Sequence, residues 1–457
     1  MEEAQFVCPC CAAKMTWSRE EEKWACSFCH HTYDDDLIRQ YHQAVTASET
    51  PSDLKWEPYV GQQRNDIRGC RCPRCGLVLE AMEGQHACCP QCGQPGMTEH
   101  TVQGARQPDG VIPFQIDREQ AQAAFRRFLR HRPLLPRRFA RKKQMREMTG
   151  VFVPCWLFDC QVEADLSYSA TRNVTWREEK FRVTRTDHFL SRRKGSMAFE
   201  GVLTNASSRL GLGHDTGLFD MNRLQDYTSR NVEGHGAVCG DMGVETGIRR
   251  ANERMDALIR ASAHRTTGQY DAAMLKNIHV DITRGKIRYV WLPIWRLNGR
   301  YRRKQHVFLV NGQTGTVSGE MPVSVHQCML WTLFLGVLFG AAFLGLAALV
   351  KIGQLKAGFL KNWWECMLTL MPQWGWFAAA GAAAALLLVM RMRSHMIRDR
   401  KKALEGQDTS LGEFRLEEAK DLLMYTTASR TRVEADGNRK KQSITMPGHA
   451  RPGKNNT

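Results

Sequence analysis

The chain has 457 residues and a formal net charge of +17 at pH 7, with 43% hydrophobic and 24% charged residues. These fractions are those of an ordinary globular protein, and the negative mean hydropathy excludes a chain that is mostly embedded in a membrane. The length predicts two or three folded units with accessory segments. The excess positive charge favours anionic partners, namely nucleic acid, acidic lipid or an acidic protein.

The cysteines are concentrated at the N-terminus, where eleven of the sixteen fall within the first 92 residues. The opening sequence MEEAQFVCPCC lacks the charged, apolar and small-residue pattern of a secretion signal, so we expect a reducing compartment. In such a compartment, paired C-x-x-C motifs indicate metal ligands rather than disulfides.

Two sets of paired motifs each predict a zinc ribbon with a four-sulfur site. A closed tetrahedral set of thiolates is typical of structural Zn²⁺ and leaves no position for catalysis, so we expect two structural zinc ions. The ligands are Cys8, Cys11, Cys26 and Cys29 in ribbon 1 (residues 1–33), and Cys72, Cys75, Cys89 and Cys92 in ribbon 2 (residues 70–105).

The residues beside these ligands differ between the ribbons. Gly76 and Gly93 follow the second cysteine of their motifs, where a positive φ is often required, whereas Ala12 takes that place in ribbon 1. Cys10 and His30 are alternative ligands in ribbon 1. Our preferred interpretation of the remaining thiols near the sites, Cys10, Cys70 and Cys88, is that they are spare.

An α+β domain is predicted over residues 106–325, after a helix and linker over residues 34–69. VIPFQI predicts a short strand, and DREQAQAAFRRFLRHR predicts an amphipathic helix that begins at a capping Asp117. GVFVPCWLFD and the following segments predict strands, GVETGIRRANERMDALIRASAHRTTGQYDAAML predicts a helix, and Asn311-Gly312 with Gly315 predicts a hairpin turn.

One pattern occurs twice in this domain, at residues 153–159 and 292–298. Both segments have the form apolar-Pro-x-Trp-x-apolar-Asp/Asn, which is consistent with a duplicated half-domain. Trp156 and Trp295 would then be equivalent. Packing in the core is the favoured role for both, and stacking on a ligand is the alternative.

A basic run extends from Arg126 to Arg146 without an acidic residue. A solvated helix face followed by a linker is one interpretation, and contact with phosphates of nucleic acid or anionic lipid is the other. The residues assigned to such contacts are Arg126, Arg127, Arg130, Arg137, Arg138, Lys142 and Lys143.

Two uncharged stretches, residues 329–350 and 366–390, predict a transmembrane helical hairpin with a loop over residues 351–365. The lysines and arginines that follow the second stretch place both termini in the cytoplasm of a multi-pass inner-membrane protein. Residues 391–457 would form a basic cytosolic tail with one helix near LGEFRLEEAKDLLMY.

The chain resembles a family of bacterial membrane proteins known as TFIIB-type zinc-ribbon-containing proteins. The resemblance covers residues 8–350 and rests on the paired CPxC motifs, VIPFQI, GVFVPCWLFD, YSATR, TWRE, RANER, YVWLPIWRLN and VFLVNGQTGTVSGEMPV. The family has no established activity, although members are sometimes labelled replication-restart helicase. A helicase requires a G-x-x-x-x-G-K-[ST] phosphate loop, which this chain lacks, so that label is excluded.

The sequence thus predicts zinc ribbons, an α+β middle domain and a transmembrane hairpin. The leading hypothesis is a non-enzymatic, membrane-anchored binding or scaffold protein with an unknown protein partner and no small-molecule substrate. The alternatives are a membrane-tethered nucleic-acid-binding protein and a redox or zinc sensor. An enzyme that uses Asp187, His188, His214 and Asp215 is disfavoured, because adjacent Asp-His pairs are frequent by chance.

Overall fold

The computed structural model describes residues 6–46, 55–80, 88–130, 134–136, 148–212, 219–301, 304–319, 324–354, 383, 385–391, 412–432 and 445–447. The helices are α1 (Asp35–Thr46), α2 (Arg118–Arg130), α3 (Val244–Arg265) and α4 (Val325–Gln354), with 3-10 turns at Met221–Arg223 and Ser229–Val232. The strands are β1 (Met15–Ser18), β2 (Lys23–Cys26), β3 (Thr32–Tyr33), β4 (Gln63–Arg64), β5 (Ile67–Arg71), β6 (Val78–Glu80), β7 (Thr98–Val102), β8 (Ala105–Arg106), β9 (Gly110–Val111), β10 (Thr149–Glu178), β11 (Phe181–Asn205), β12 (Gln225–Asp226), β13 (Gly236–Val238), β14 (Ala272–Tyr301), β15 (Lys304–Asn311), β16 (Val317–Gly319), β17 (Arg415–Arg432) and β18 (Thr445–Pro447).

A 13-stranded sheet contains strands from ribbon 2, from the middle of the chain and from its C-terminal part. At its centre, β10 lies between β11 and β14 and pairs with both in antiparallel register. The far edge of β11 pairs with β17, more than two hundred residues later in the chain. Ribbon 1 forms a separate three-stranded sheet from β1, β2 and β3.

The first half of β10 is buried on both faces, so its sequence is an apolar run rather than an alternation. Phe152 and Trp156 point into a core that α3 covers, and Gly247 of α3 lets that helix approach the Trp156 ring closely. Val153 and Leu157 point to the opposite face, where they pack against residues of ribbon 2. Ribbon 2 is therefore part of the main core.

The two segments that share a sequence pattern lie side by side in the sheet. Val153 of β10 is directly opposite Leu292 of β14. The short strand β13 pairs in parallel with β10, and β9 pairs in parallel with β14 in the same way. Each of these short strands leads into a helix, β9 into α2 and β13 into α3, so an approximate two-fold axis relates the two β-α-β units.

The paired tryptophans repeat this local symmetry. Trp156 Nε1 donates to the carbonyl oxygen of Met242 at 3.3 Å, and Trp295 Nε1 donates to that of Ile116 at 3.1 Å. Both acceptors lie just before a helix. Both rings are buried, so core packing is confirmed for the two residues.

The three predicted helices are confirmed, and they span residues 35–46, 118–130 and 244–265. The sequence predicts that the third continues to residue 275, which is wrong, because it ends at Arg265 and strand β14 begins at Ala272. At the start of α2, Asp117 Oδ1 accepts from the Gln120 amide at 2.7 Å, and Gln120 Oε1 accepts from the Asp117 amide at 3.1 Å. This reciprocal pair is a capping box. The hairpin near Asn311 is also confirmed, although the positive φ of its turn falls on Gly315 rather than on Gly312.

The helix predicted near LGEFRLEEAKDLLMY is wrong, because residues 415–432 form strand β17. The segment is rich in helix-forming residues, but two neighbours decide its conformation. The edge of β11 supplies backbone hydrogen-bond partners, and ribbon 1 covers Met424 and part of Leu422. Tertiary contacts therefore override local propensity.

The predicted transmembrane hairpin of residues 329–350 and 366–390 is wrong. Among the described residues, none of the helices has the length and apolar character that crossing a bilayer demands. The described part of α4 instead packs Leu335 against Ala385 and Val389. Helix–helix packing buries Leu335 in this way, whereas Leu333, Phe334 and Val337 of the same run are at least 60% exposed. The predicted membrane partner and inner-membrane location depend on this hairpin and are wrong for the same reason. Residues 366–382 lie outside the described residues.

Candidate metal centres

All four C-x-x-C motifs fold into the same knuckle. In each, the amide of the first cysteine donates to the carbonyl oxygen five residues later, and the amide of the residue after the second cysteine donates back to the first cysteine. That following residue has a positive φ in every knuckle, as predicted for Gly76 and Gly93. Ala12 and His30 adopt the same conformation in ribbon 1, where a side chain makes it less favourable.

The knuckles bring each predicted set of four sulfurs together, and each set could hold a metal ion. The Sγ atoms of Cys8 and Cys29 are 3.5 Å apart, and those of Cys72 and Cys92 are 3.6 Å apart. A tetrahedron with Zn–S bonds of about 2.3 Å has edges of about 3.8 Å. A disulfide would require about 2.0 Å, so the spacing fits a shared ion and not a covalent bond.

Ribbon 1 is fixed to the far edge of the sheet. Its core contains Phe6, Tyr33 and Ile38 of α1, and the same cluster includes Leu190 of β11 and Met424 of β17. The ribbon thus covers the junction of two strands that are distant in sequence. Ribbon 1 therefore buries Met424 on that face of β17.

Ribbon 2 is fixed to the central strands by hydrogen bonds as well as by its core. Arg296 donates to the carbonyl oxygen of Gln91 at 3.1 Å, and Asn298 Nδ2 donates to that of Pro90 at 2.6 Å. Arg209 donates to the carbonyl oxygen of Cys75. Three side chains from elsewhere in the chain therefore hold the backbone of both ribbon 2 knuckles.

Arg296 has a second role that sequence analysis missed. Its guanidinium is buried beside the thiols of ribbon 2; burial lowers its pKa to about 10, while the charges of Cys89, Cys75 and Cys92 act in the opposite direction. Four thiolates around one divalent ion carry a net charge of about −2, and a buried cation offsets part of it. In the sequence, this role is indicated only by the position of Arg296 as the single charged residue of the apolar segment WLPIWRLN.

The thiols within a set differ in their affinity for protons. Burial raises the pKa of Cys8 and of Cys29 to about 12. Burial also acts to raise the pKa of Cys26 and Cys72, but knuckle amides donate hydrogen bonds to both and lower their pKa to about 7. A metal ion must displace protons from the other thiols, so binding competes with acid.

The remaining cysteines near the sites fall into two kinds. Cys88 is exposed and belongs to no group of potential ligands among the described residues, which fits a spare thiol, and Cys70 likewise joins none. Cys10, in contrast, forms a further group with Cys29 and His31. The sequence predicts His30 as an alternative ligand, which is wrong: His30 is exposed, and His31 lies beside the sulfurs.

A cleft of about 430 Å³ opens between ribbon 2 and the adjoining loop, lined in part by Leu77, Arg209, Cys239 and Asp241. Burial raises the pKa of Cys239 to about 12, so this thiol is protonated at neutral pH. Asp241 accepts from the Ser208 amide at 2.7 Å, and Arg209 contacts the Cys75 carbonyl. Asp241 and Arg209 therefore both bind backbone groups of neighbouring loops.

The Asp-His pair weighed as an enzyme site lies within the sheet. Asp187 pairs with Arg185 at 3.1 Å and accepts from Thr426, and the His188 ring stacks on Tyr425 at 4.2 Å. Adjacent residues of a strand point to opposite faces, so the two side chains do not converge on one site. His214 and Asp215 lie outside the described residues.

Of the lysines and arginines in the basic run, the structure describes only those in α2. Arg126, Arg127 and Arg130 are exposed on the face opposite the buried Phe125 and Leu129. This part fits a solvated helix face. Arg137, Arg138, Lys142 and Lys143 lie outside the described residues.

Comparison with known proteins adds one relative. The chain is similar to Uncharacterized protein YdjG of Bacillus subtilis (strain 168), with 29% identity over 247 residues that cover 54% of this chain and 72% of the relative. No family model matches the chain, and no solved structure matches it. The resemblance to the TFIIB-type zinc-ribbon family therefore stays a prediction.

Proposed function

We propose that this chain is a non-enzymatic binding or scaffold protein in which two structural zinc ions hold the ribbons against a large sheet. The observation that carries the proposal is the closed geometry of both four-cysteine sets, which leaves a bound ion without an open coordination position. Zinc fits these sets because thiolates in tetrahedral arrangement are its preferred structural ligands.

The position of the two centres supports a role in assembling a surface. Ribbon 1 covers the junction of β11 and β17, and ribbon 2 is hydrogen-bonded to residues of β14. Each ion would therefore stabilise contacts between distant parts of the chain. A surface that is composed of ribbons and sheet together depends on both ions.

The test uses reversible removal of zinc from the full-length protein. We expect two tightly held zinc ions per chain, and a partner crosslinked by the zinc-loaded protein should be lost after chelation and recovered when zinc is restored. Restoration distinguishes loss of the surface from irreversible damage. A set of crosslinked partners that is unchanged by chelation would contradict the proposal.

Binding of single-stranded nucleic acid is the second candidate function, and the distal end of the β10–β11 hairpin favours it. Trp176 is 44% exposed there and Val174 is 41% exposed. Arg430 of β17 lies on the same face and is over the Phe181 ring at 4.9 Å, whereas Arg177 and Arg182 face each other across the two strands on the opposite face. An exposed tryptophan on the same face as an arginine is typical of surfaces on which bases stack and phosphates bind.

A fluorescent single-stranded oligodeoxythymidine tests this candidate by anisotropy. Trp176→Ala should weaken binding by roughly 5- to 150-fold, since stacking contributes about 1–3 kcal/mol per base. Arg430→Ala should reduce the salt dependence of binding, because Arg430 lies on the same face as Trp176. Trp17→Ala is the matched control, because Trp17 is 42% exposed but lies in ribbon 1. Equal affinity of the Trp176 and Trp17 variants would remove the hairpin as a binding site.

A further inference from the structure

Ribbon 1 contains two potential ligands that its own four-cysteine centre does not use. The donor atoms of Cys10, Cys29 and His31 all lie within 4.8 Å of one another. His31 Nδ1 is 3.4 Å from Cys29 Sγ. In a tetrahedral zinc site, nitrogen and sulfur ligands are about 3.6 Å apart, so this pair already has the spacing of two ligands of one ion.

The position of His31 is fixed by the fold rather than by chance orientation at the surface. Its carbonyl oxygen accepts from the Cys26 amide within the second knuckle. Its ring lies 6.4 Å from that of Tyr33 and 5.7 Å from that of Tyr425 on β17. The other ring nitrogen, Nε2, is buried and has no hydrogen-bond partner among the described residues, whereas Nδ1 faces the Cys29 sulfur.

Ribbon 2 shows that these extra ligands are not needed to build a ribbon. Its knuckles have the same backbone hydrogen bonds and the same four-sulfur geometry. The residue that corresponds to Cys10 is Arg74, and the one that corresponds to His31 is Gln94. Cys10 and His31 are therefore additions to ribbon 1 that the structural role of the four cysteines does not explain.

We propose that Cys10, Cys29 and His31 bind a second divalent, thiophilic metal ion beside the four-cysteine centre of ribbon 1, with the Cys29 sulfur bridging the two ions. A thiolate can bridge because its sulfur carries more than one lone pair. This inference rests on the proposed zinc centre of ribbon 1. With only three protein ligands, the second ion has an open coordination position and is held less tightly than the first.

The open position sets the second site apart from the two closed centres. A three-ligand site can accept a water molecule or an external thiol or carboxylate as its fourth ligand. Weaker binding makes its occupancy follow the supply of metal, whereas the closed centres stay filled. Because the His31 ring contacts Tyr425, occupancy of this site is coupled to the contact between ribbon 1 and β17.

The test is titration of the full-length, metal-free protein with ¹¹³Cd²⁺ alone, followed by NMR. We expect two signals from four-sulfur sites, then a third signal from a sulfur- and nitrogen-ligated ion that shows ¹¹³Cd–¹¹³Cd coupling to one of them. Cys10→Ser and His31→Gln should each abolish the third signal and keep the other two. Cys88→Ser and His30→Gln are the matched controls and should retain all three.

The outcomes separate this inference from the proposed function. Two four-sulfur signals without a third, a third signal that survives both Cys10→Ser and His31→Gln, or a third signal without coupling would each overturn the bridged site alone. Absence of the four-sulfur signals would overturn the zinc centres themselves.

Discussion

Replacing Cys72 and Cys75 with serine should lower the zinc content from two tightly held ions to one and unfold the part of the chain that ribbon 2 supports. Apparent binding energies of structural zinc are about 10–16 kcal/mol per site, which exceeds the whole stability of many domains. The loss should extend beyond the ribbon, because Leu77 and Leu79 share a core with Val153 and Leu157 of β10. Metal analysis and circular dichroism of the full chain measure both effects.

The control for this prediction is Cys88→Ser. Cys88 is next to a ligand but is exposed and outside the metal groups of the described residues, so this variant should keep both ions and its unfolding midpoint. A Cys72→Ser/Cys75→Ser protein that unfolds at the same urea concentration as the unmodified chain would show that ribbon 2 folds without metal.

Arg193→Met should destabilise the sheet by about 1.5–3 kcal/mol, because it removes the hydrogen bonds of a buried guanidinium to a carboxylate, while Asp421 is 28% exposed and keeps its hydrogen bond from Gln269. The Arg193 side chain is only 2% exposed and donates to both carboxylate oxygens of Asp421, at 2.8 and 3.2 Å. The pair joins β11 to β17. Urea unfolding of the full-length variant gives the change in free energy from the shift in midpoint.

Arg192→Met is the matched control, because the Arg192 side chain is 56% exposed, against 2% for Arg193, and its pair with Asp165 should contribute at most about 1 kcal/mol. Similar losses in the two variants would contradict the assignment of Arg193 as a buried connection between strands.

The contribution of the Arg193–Asp421 pair should also depend on pH. Burial acts to raise the pKa of Asp421, but the hydrogen bonds and charge of Arg193, together with hydrogen bonds from Ser191 and Tyr270, outweigh it and hold the pKa below its ordinary value. A carboxyl with a depressed pKa in the folded state stabilises the fold above its unfolded pKa of about 3.9. The difference between the unmodified chain and Arg193→Met should therefore be full at neutral pH and shrink as the pH falls below about 4.

Some features could be read from the sequence because they depend on neighbours within a few residues. The four knuckles are defined by cysteines three positions apart, and the helices by capping and apolar periodicity, as at Asp117. The equivalence of Trp156 and Trp295 was visible as a repeated pattern. His31 was missed in favour of His30 because the choice depends on the direction of side chains within one knuckle, where His30 adopts a positive φ and points outward.

The errors concern segments whose surroundings are distant in sequence. Residues 415–432 carry helix-forming side chains, yet they form a strand because β11 and ribbon 1 surround them. The apolar run of α4 predicted a bilayer, whereas its Leu335 packs against Ala385 and Val389. In both cases the local sequence specified the character of the side chains, but not which distant segment would contact them.

The sequence by itself determined the two four-cysteine ligand sets and the local secondary structure around them, because ligand spacing and knuckle geometry are properties of short segments. Only the tertiary structure decided that ribbon 2 belongs to the main core, that β17 completes the sheet, and that Cys10 and His31 lie beside Cys29. These features arise from contacts between residues far apart in the chain, and local sequence does not encode the partner in such contacts.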